Sequence, residues 1–124
     1  MAAPDMPVNI DEKLALVTEH WSPKIVGEMN DLHLKVVKVE GEFVWHTHDQ
    51  TDELFLVRNG SLVIEMRGRE PVSLSPGDFF VVPRGVEHRP IAASECEILL
   101  IEPRGVLNTG DAVGSELTAD EAWI

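Results

Sequence analysis

The chain contains no tyrosine, a single cysteine, and only 10 lysines and arginines among 124 residues. Each shortage excludes something. Without tyrosine, no phenol is available as a general acid or base. Cys96 has no partner for an internal disulfide. It lies in SECEILLIE between Glu95 and Glu97, just before the apolar run Ile98-Leu99-Leu100-Ile101. A thiol nucleophile wants a histidine and an electropositive setting, so Cys96 reads as a small buried hydrophobe. The scarcity of cations is set against 22 acidic residues, giving a net charge of -12 and a pI of about 4.6. Such a surface repels phosphate backbones and anionic lipid heads, and the expectation is of no nucleic-acid and no membrane partner. No apolar run approaches the length that spans a bilayer. The opening MAAPDMPVNIDE lacks the basic head and apolar stretch of a signal peptide, so a cytoplasmic protein is expected.

What is present is strand-forming sequence broken by turn signals. A length of 124 residues fits one domain, and 44% hydrophobic residues supply its core. Asn9 followed by Glu12 reads as a capping pair opening a short helical turn, and Ser22-Pro23 then breaks the chain. Strands are predicted over 32–39, 43–48, 53–58, 61–66, 71–74, 79–82, 88–92 and 97–101. Glycine, proline, asparagine and aspartate cluster between them, a spacing that points to an all-β sandwich or barrel. Thr118 followed by Glu121 predicts a second capping box and a terminal helical turn carrying Trp123. The resulting division is an N-terminal segment (1–31) packed on a barrel (32–102), followed by a C-terminal tail (103–124).

The most informative stretch is WHTHDQTDELFLVRNG, residues 45–60. Asn59-Gly60 predicts a two-residue type I′ hairpin, pairing Val57 with Leu62, Phe55 with Ile64 and Glu53 with Met66. Alternation then puts Glu53, Phe55, Val57, Leu62, Ile64 and Met66 on one face, where a lone carboxylate is costly without a cation. His46 and His48, two residues apart, share a side of the preceding strand with Val44, while Phe43, Trp45 and Thr47 point away. Two imidazoles and a carboxylate on one concave surface suit a divalent transition metal. The plainer alternative is a pair of strand-end histidines beside a surface glutamate.

Further along, GDFFVVPRGVEH covers residues 77–88. The stretch Gly41-x4-His46-x-His48-x4-Glu53-x6-Gly60 resembles the first cupin motif, and Gly77-x5-Pro83-x-Gly85-x2-His88 resembles the second. The likeness spans about residues 32–102, with the first glycine one residue nearer the histidines than usual and Ala92 where the family often has asparagine. The resemblance implies a double-stranded β-helix, the jelly-roll or cupin barrel. It also implies that His46, His48, Glu53 and His88 bind one divalent metal ion inside that barrel, with positions left for water or substrate. Iron, manganese, nickel, zinc and copper all remain open, since the side chains alone do not choose.

Val44, Phe55, Ile64 and Met66 are expected to line the pocket, giving it an apolar wall with the metal as its main polar anchor. The absence of tyrosine removes the general acid expected of sugar-nucleotide epimerases in this superfamily. His20 and His33 read as surface or satisfied core groups, and Arg84 as a solvated turn residue; proton carriage and anion contact at the barrel mouth are the alternatives. Two functions follow: a metal-dependent enzyme on a small organic molecule, of oxygenase, lyase or isomerase type, or a non-catalytic barrel that binds a metal or small molecule. Leu54, Leu56 and Val63 leave the outer face of the expected hairpin apolar, so it needs cover from the N-terminal segment or a second subunit, and a homodimer is predicted.

Overall fold

Asn9 caps a helix as its sequence context suggests. Its side-chain oxygen accepts the Glu12 backbone N–H at 2.9 Å and opens α1 (Ile10–Ala15), the one helix among the residues, 5–112 and 114–124, that the computed structural model describes. The remaining elements are strands: β1 (Lys24–Met29), β2 (Leu32–Glu42), β3 (Glu53–Asn59), β4 (Leu62–Met66), β5 (Val72–Leu74), β6 (Phe79–Val82), β7 (His88–Pro103) and β8 (Ala122–Trp123). No helix is long and apolar enough to cross a membrane among the described residues.

One long strand organises the barrel. The first part of β7 pairs with β4, from Met66 opposite His88 to Val63 opposite Ile91. Its second part pairs with β3, from Leu54 opposite Ile101 to Asn59 opposite Glu97, and β2 runs along its other edge. Two strands were expected here, at 88–92 and 97–101. Exposed Ala93, Ser94 and Glu95 resemble a turn in the sequence, yet the backbone stays extended through them as β7 passes from one face of the barrel to the other. The strands enclose a core that includes Val37, Val39, Phe55, Val57, Ile64 and Ile98. A second cluster forms outside, where Leu14 and Val17 of the N-terminal segment cover Val26, Val36 and Leu99.

The hairpin expected at Asn59-Gly60 is not formed. β3 pairs with β6 and β7, and β4 with β5 and β7. Gly60 alone of the two turn residues takes a positive φ, +85°, and a Cβ there would lie 2.8 Å from the Glu95 carbonyl oxygen. The link therefore crosses tightly beneath β7 instead of reversing on itself. The face assignment nevertheless holds: Glu53, Phe55, Val57, Leu62, Ile64 and Met66 are all buried. Period-two alternation fixes which way a side chain points and leaves its neighbouring strand open. Leu56 on the opposite face packs against the outer cluster under the N-terminal segment.

Three more expectations change. Residues 43–48 form no regular strand, only a bridge between His46 and His88. β1 was not foreseen, because KIVGEM is short and carries Gly27 at a register shift. The tail ends in β8, parallel to β1, and not in a helix. The carboxylate of Glu121, which a capping box would use, instead accepts from Lys35 Nζ at 2.8 Å, while Lys13 Nζ donates to the Ile124 carbonyl at 2.8 Å.

Cys96 is fully buried, and burial, followed by the nearby Glu97, pushes its thiol up to about 11. Because the folded value lies above the ordinary 9.0, the thiol's contribution to stability declines as pH rises through that window. A disulfide reagent at about pH 8 should leave the native thiol unmodified and titrate it fully after unfolding. Rapid native labelling would contradict the packing.

Candidate metal centre

Four buried side chains meet at one end of the barrel: His46, His48, Glu53 and His88, with a ligand atom from each lying within 4.8 Å of the others. Each reaches the point by a different route. Glu53 opens β3 and points inward with Phe55 and Val57. His88 opens β7, and the backbones of His46 and His88 exchange hydrogen bonds in both directions, at 3.0 and 2.9 Å. This bridge clamps the irregular 43–48 segment to a regular strand. His48 is held through its carbonyl, which accepts the Gly85 N–H at 2.9 Å.

The tautomers are set by the chain itself. Nδ1 of His46 lies 2.9 Å from the Val44 carbonyl, and Nδ1 of His88 lies 2.9 Å from the Val86 carbonyl. A carbonyl only accepts, so both rings carry their proton on Nδ1 and turn Nε2 toward the cluster. Glu53 Oε1 lies 3.4 Å from Nε2 of both His48 and His88. His48 Nε2, His88 Nε2 and Glu53 Oε1 are buried and have no hydrogen-bond partner. Orphaned buried atoms of this kind are costly, and ligand separations of 3.4 Å bracket a central ion about 2.0–2.2 Å from each. The donor set therefore fits a divalent metal.

The electrostatics agree. Burial, and then the neighbouring His88, hold the His46 imidazole down at about 4, neutral and able to ligate at ordinary pH. Burial alone would raise the Glu53 carboxyl, yet the His48 and His88 rings 3.4 Å away outweigh it and keep this group below the usual carboxylate range. Glu102 goes the other way. Burial, and then the adjacent Glu53, push its carboxyl well above the ordinary range.

A narrow cavity of about 30 Å³ adjoins the cluster, walled by Trp21, Phe43, Phe55 and Leu100 among others. It holds about one water. Of the four residues expected on its wall, Phe55 is there; Ile64 and Met66 are buried in the core away from it, and Val44 serves through its carbonyl. Phe43 takes the place expected of Val44 and stacks on Trp21 with ring centroids 4.7 Å apart. Without a regular strand over 43–48, alternation fails at that residue. Trp45 does point away, beneath Arg67, whose guanidinium carbon is 3.9 Å from the ring centroid.

His20, His33 and Arg84 lie outside the cluster. His20 forms an exposed pair with Glu95, buried His33 packs edge-on to Trp123, and Arg84 is tied to Asp52 at an exposed turn. Two polar residues beside the site were missed, Glu102 and Asn108, which also line the cavity. The signal for Glu102 was its shared parity with Ile98 and Leu100. Asn108 belongs to an irregular segment and had none.

The 108–111 segment docks on the histidine loop. Asp111 accepts the Thr47 N–H at 2.7 Å, and its own N–H donates to the Thr47 carbonyl at 3.2 Å. Gly110 has φ +53°, and a Cβ there would collide with the Thr47 carbonyl and come 3.1 Å from His48 Nδ1. Gly110→Ala should therefore lower stability by about 1–3 kcal/mol and weaken ion binding by displacing His48. Gly27→Ala, whose added Cβ meets nothing within 4 Å, serves as the control. Thermal melts and ion titrations that fail to separate the two variants would contradict this packing.

Comparison with known proteins agrees with the geometry. The Cupin_2 family, described as a cupin domain, matches residues 33–102. The structure of a cupin-2 domain containing protein from Shewanella frigidimarina NCIMB 400 is similar at 50% identity and a TM-score of 0.76, covering 78% of this chain and 94% of that one. YdbB of Bacillus subtilis (strain 168) is 36% identical over 64 residues, 52% of this chain; the match spans 57% of that protein's length. Hydroquinone 1,2-dioxygenase PnpCD, solved with Cd2+ and 4-hydroxybenzonitrile, shares the fold at 21% identity and a TM-score of 0.68, covering 93% of this chain and 76% of that one. Paired motifs, barrel and buried ligand set converge, and this chain belongs to the cupin family.

Proposed function

We propose that the protein is a metal-binding cupin that acts as a metal-dependent enzyme on a small organic molecule, by oxygenase, lyase or isomerase chemistry. The observation that carries this reading is the set of inward-facing atoms without partners: His48 Nε2, His88 Nε2 and Glu53 Oε1, all buried and converging. A purely structural histidine cluster would satisfy those atoms with hydrogen bonds. Iron, manganese, nickel, zinc and copper each suit the donor set.

Three neutral imidazoles and one carboxylate leave a divalent ion with net positive charge, able to polarise a bound carbonyl or hydroxyl oxygen as a Lewis acid. The remaining work falls to the chain's own groups. The Val44 and Val86 carbonyls hold the His46 and His88 rings in one tautomer. Trp21, Phe43 and Phe55 exclude water and favour an apolar substrate body. The cavity volume of about 30 Å³ means that anything larger than a water enters only as surrounding side chains shift. Phe43 and Asn108 are placed for that movement, because both lie in irregular segments. The dioxygenase likeness concerns fold, and it supports oxygenase chemistry as one of the three classes to test.

The narrowness of the cavity also supports a second reading, a non-catalytic barrel that holds a metal or a small ligand. Assays with candidate catechols, thiols and keto acids, with oxygen uptake recorded, separate the two; inertness with every metal favours binding alone.

We further propose a cytoplasmic homodimer with a small-molecule ligand and no nucleic-acid or membrane partner. Edge strand β6 supports the dimer, since Phe79 and Val81 are 61% and 40% exposed on its outer side, next to Leu56 and Leu54 of β3. A light-scattering mass equal to one 13.8 kDa chain would contradict it.

The experiment for the metal is elemental analysis of purified protein. One ion per chain is expected, with a higher melting temperature on loading, and His46→Ala and His88→Ala should each abolish binding or weaken it at least about 100-fold. Unchanged stoichiometry in both variants would refute the site.

A further inference from the structure

Lys35 and Glu102 form a buried hydrogen-bonded pair whose place in the fold exceeds what stability requires. Both are 2% exposed, and Lys35 Nζ donates to Glu102 Oε1 at 2.8 Å. Their strands aim them inward. Lys35 shares parity with Val37 and Val39 on β2, and Glu102 with Ile98 and Leu100 on β7. A buried pair of this sort is often no more stabilising than apolar residues of the same volume, so the fold alone gives little reason for it.

Its position supplies one. β3 pairs with β7 so that Leu54 faces Ile101, which brings Glu53 alongside Glu102. The two carboxyl groups are thus neighbours across the strand pair and line the same cavity. Lys35 occupies only one oxygen of Glu102. The other, Oε2, is buried with no conventional donor near it. Glu53 in turn directs Oε1 toward His48 and His88, 3.4 Å from each. Lys35 also donates to Glu121 Oε1 of the C-terminal tail at 2.8 Å, so the cation is fixed from two sides.

We infer that Glu102, anchored by Lys35, is a positioning residue that sets the direction of the Glu53 carboxylate toward the three histidines. The inference rests on the metal-site reading and adds to it a chain of neighbouring side chains, Glu121–Lys35–Glu102–Glu53, running from the tail to the histidine cluster. Carboxylates that ligate metals are commonly held by such partners, and losing one costs about 10–100-fold in affinity.

Co2+ is the probe, titrated into the 124-residue chain and followed by its visible absorption, which reports ligand geometry. Glu102→Asp draws the carboxyl back by one methylene while keeping the same functional group. It should weaken Co2+ binding about 10-fold and move the visible bands. Glu102→Gln keeps the length, accepts from Lys35 through its oxygen and donates to Glu53 through its nitrogen. It should stay within about 3-fold of the wild type, with the same bands. Should Glu102→Asp fail to fold, Lys35→Met removes the anchor at similar volume and carries the test, with a loss of about 5-fold or more expected. Wild-type affinity and bands in Glu102→Asp or in Lys35→Met would overturn the positioning role. A loss in Glu102→Gln as large as that in Glu102→Asp would overturn it as well, since a side chain of unchanged length would then have failed to hold Glu53. A wild-type chain that takes up no Co2+ would instead overturn the metal site itself.

Discussion

The interaction on which the structure turns is the convergence of imidazole and carboxylate groups in the buried interior of the barrel. His46, His48, Glu53 and His88 are all buried, and three of the atoms they present to one another have no hydrogen-bond partner. An apolar core does not tolerate that arrangement for its own sake, because each orphaned polar atom costs on the order of 1–3 kcal/mol. A cation at the centre would turn the same atoms from a liability into a binding site. Three backbone hydrogen bonds and two ring-to-carbonyl hydrogen bonds keep them there.

The barrel contributes through strand direction. β3 and β7 each begin with a residue of the cluster, Glu53 and His88, so two of its four members are placed by regular hydrogen bonding and the inward face of a strand. The other two sit on an irregular loop, and the structure compensates by clamping that loop to His88, to Gly85 and to the 108–111 segment. Gly110 lets the tail approach the His48 ring closely. Segments outside the matched family region thereby support the site: α1 covers the outside of the sheet, and β8 with Glu121 fixes Lys35.

Much of this was legible in the sequence, for identifiable reasons. Spacing alone suggested His46, His48 and Glu53, and the paired cupin motifs added His88. Period-two alternation correctly turned Glu53, Phe55, Ile64 and Met66 inward. It failed where its premise failed. Val44 and Phe43 exchange roles because residues 43–48 are not a regular strand. Asn59-Gly60 carries a strong local signal for a hairpin, but pairing β3 with β6 and β7 buries both of its faces, one in the core and one toward the outer cluster, and this nonlocal gain prevails. Tail strand β8 was hidden because its short pairing depends on β1, far away in sequence. Lys35 and Glu102 were readable as charged residues at inward positions of apolar strands, the same reasoning that singled out Glu53.

X-ray absorption at the metal edge of the loaded protein tests the ligand set most directly. The four converging side chains predict outer-shell scattering from three imidazole rings and a first shell that includes a carboxylate oxygen at about 2.0–2.2 Å. A spectrum with no imidazole scattering, or one unchanged when His46 and His88 are replaced, would place the ion elsewhere and leave the buried cluster without its proposed purpose.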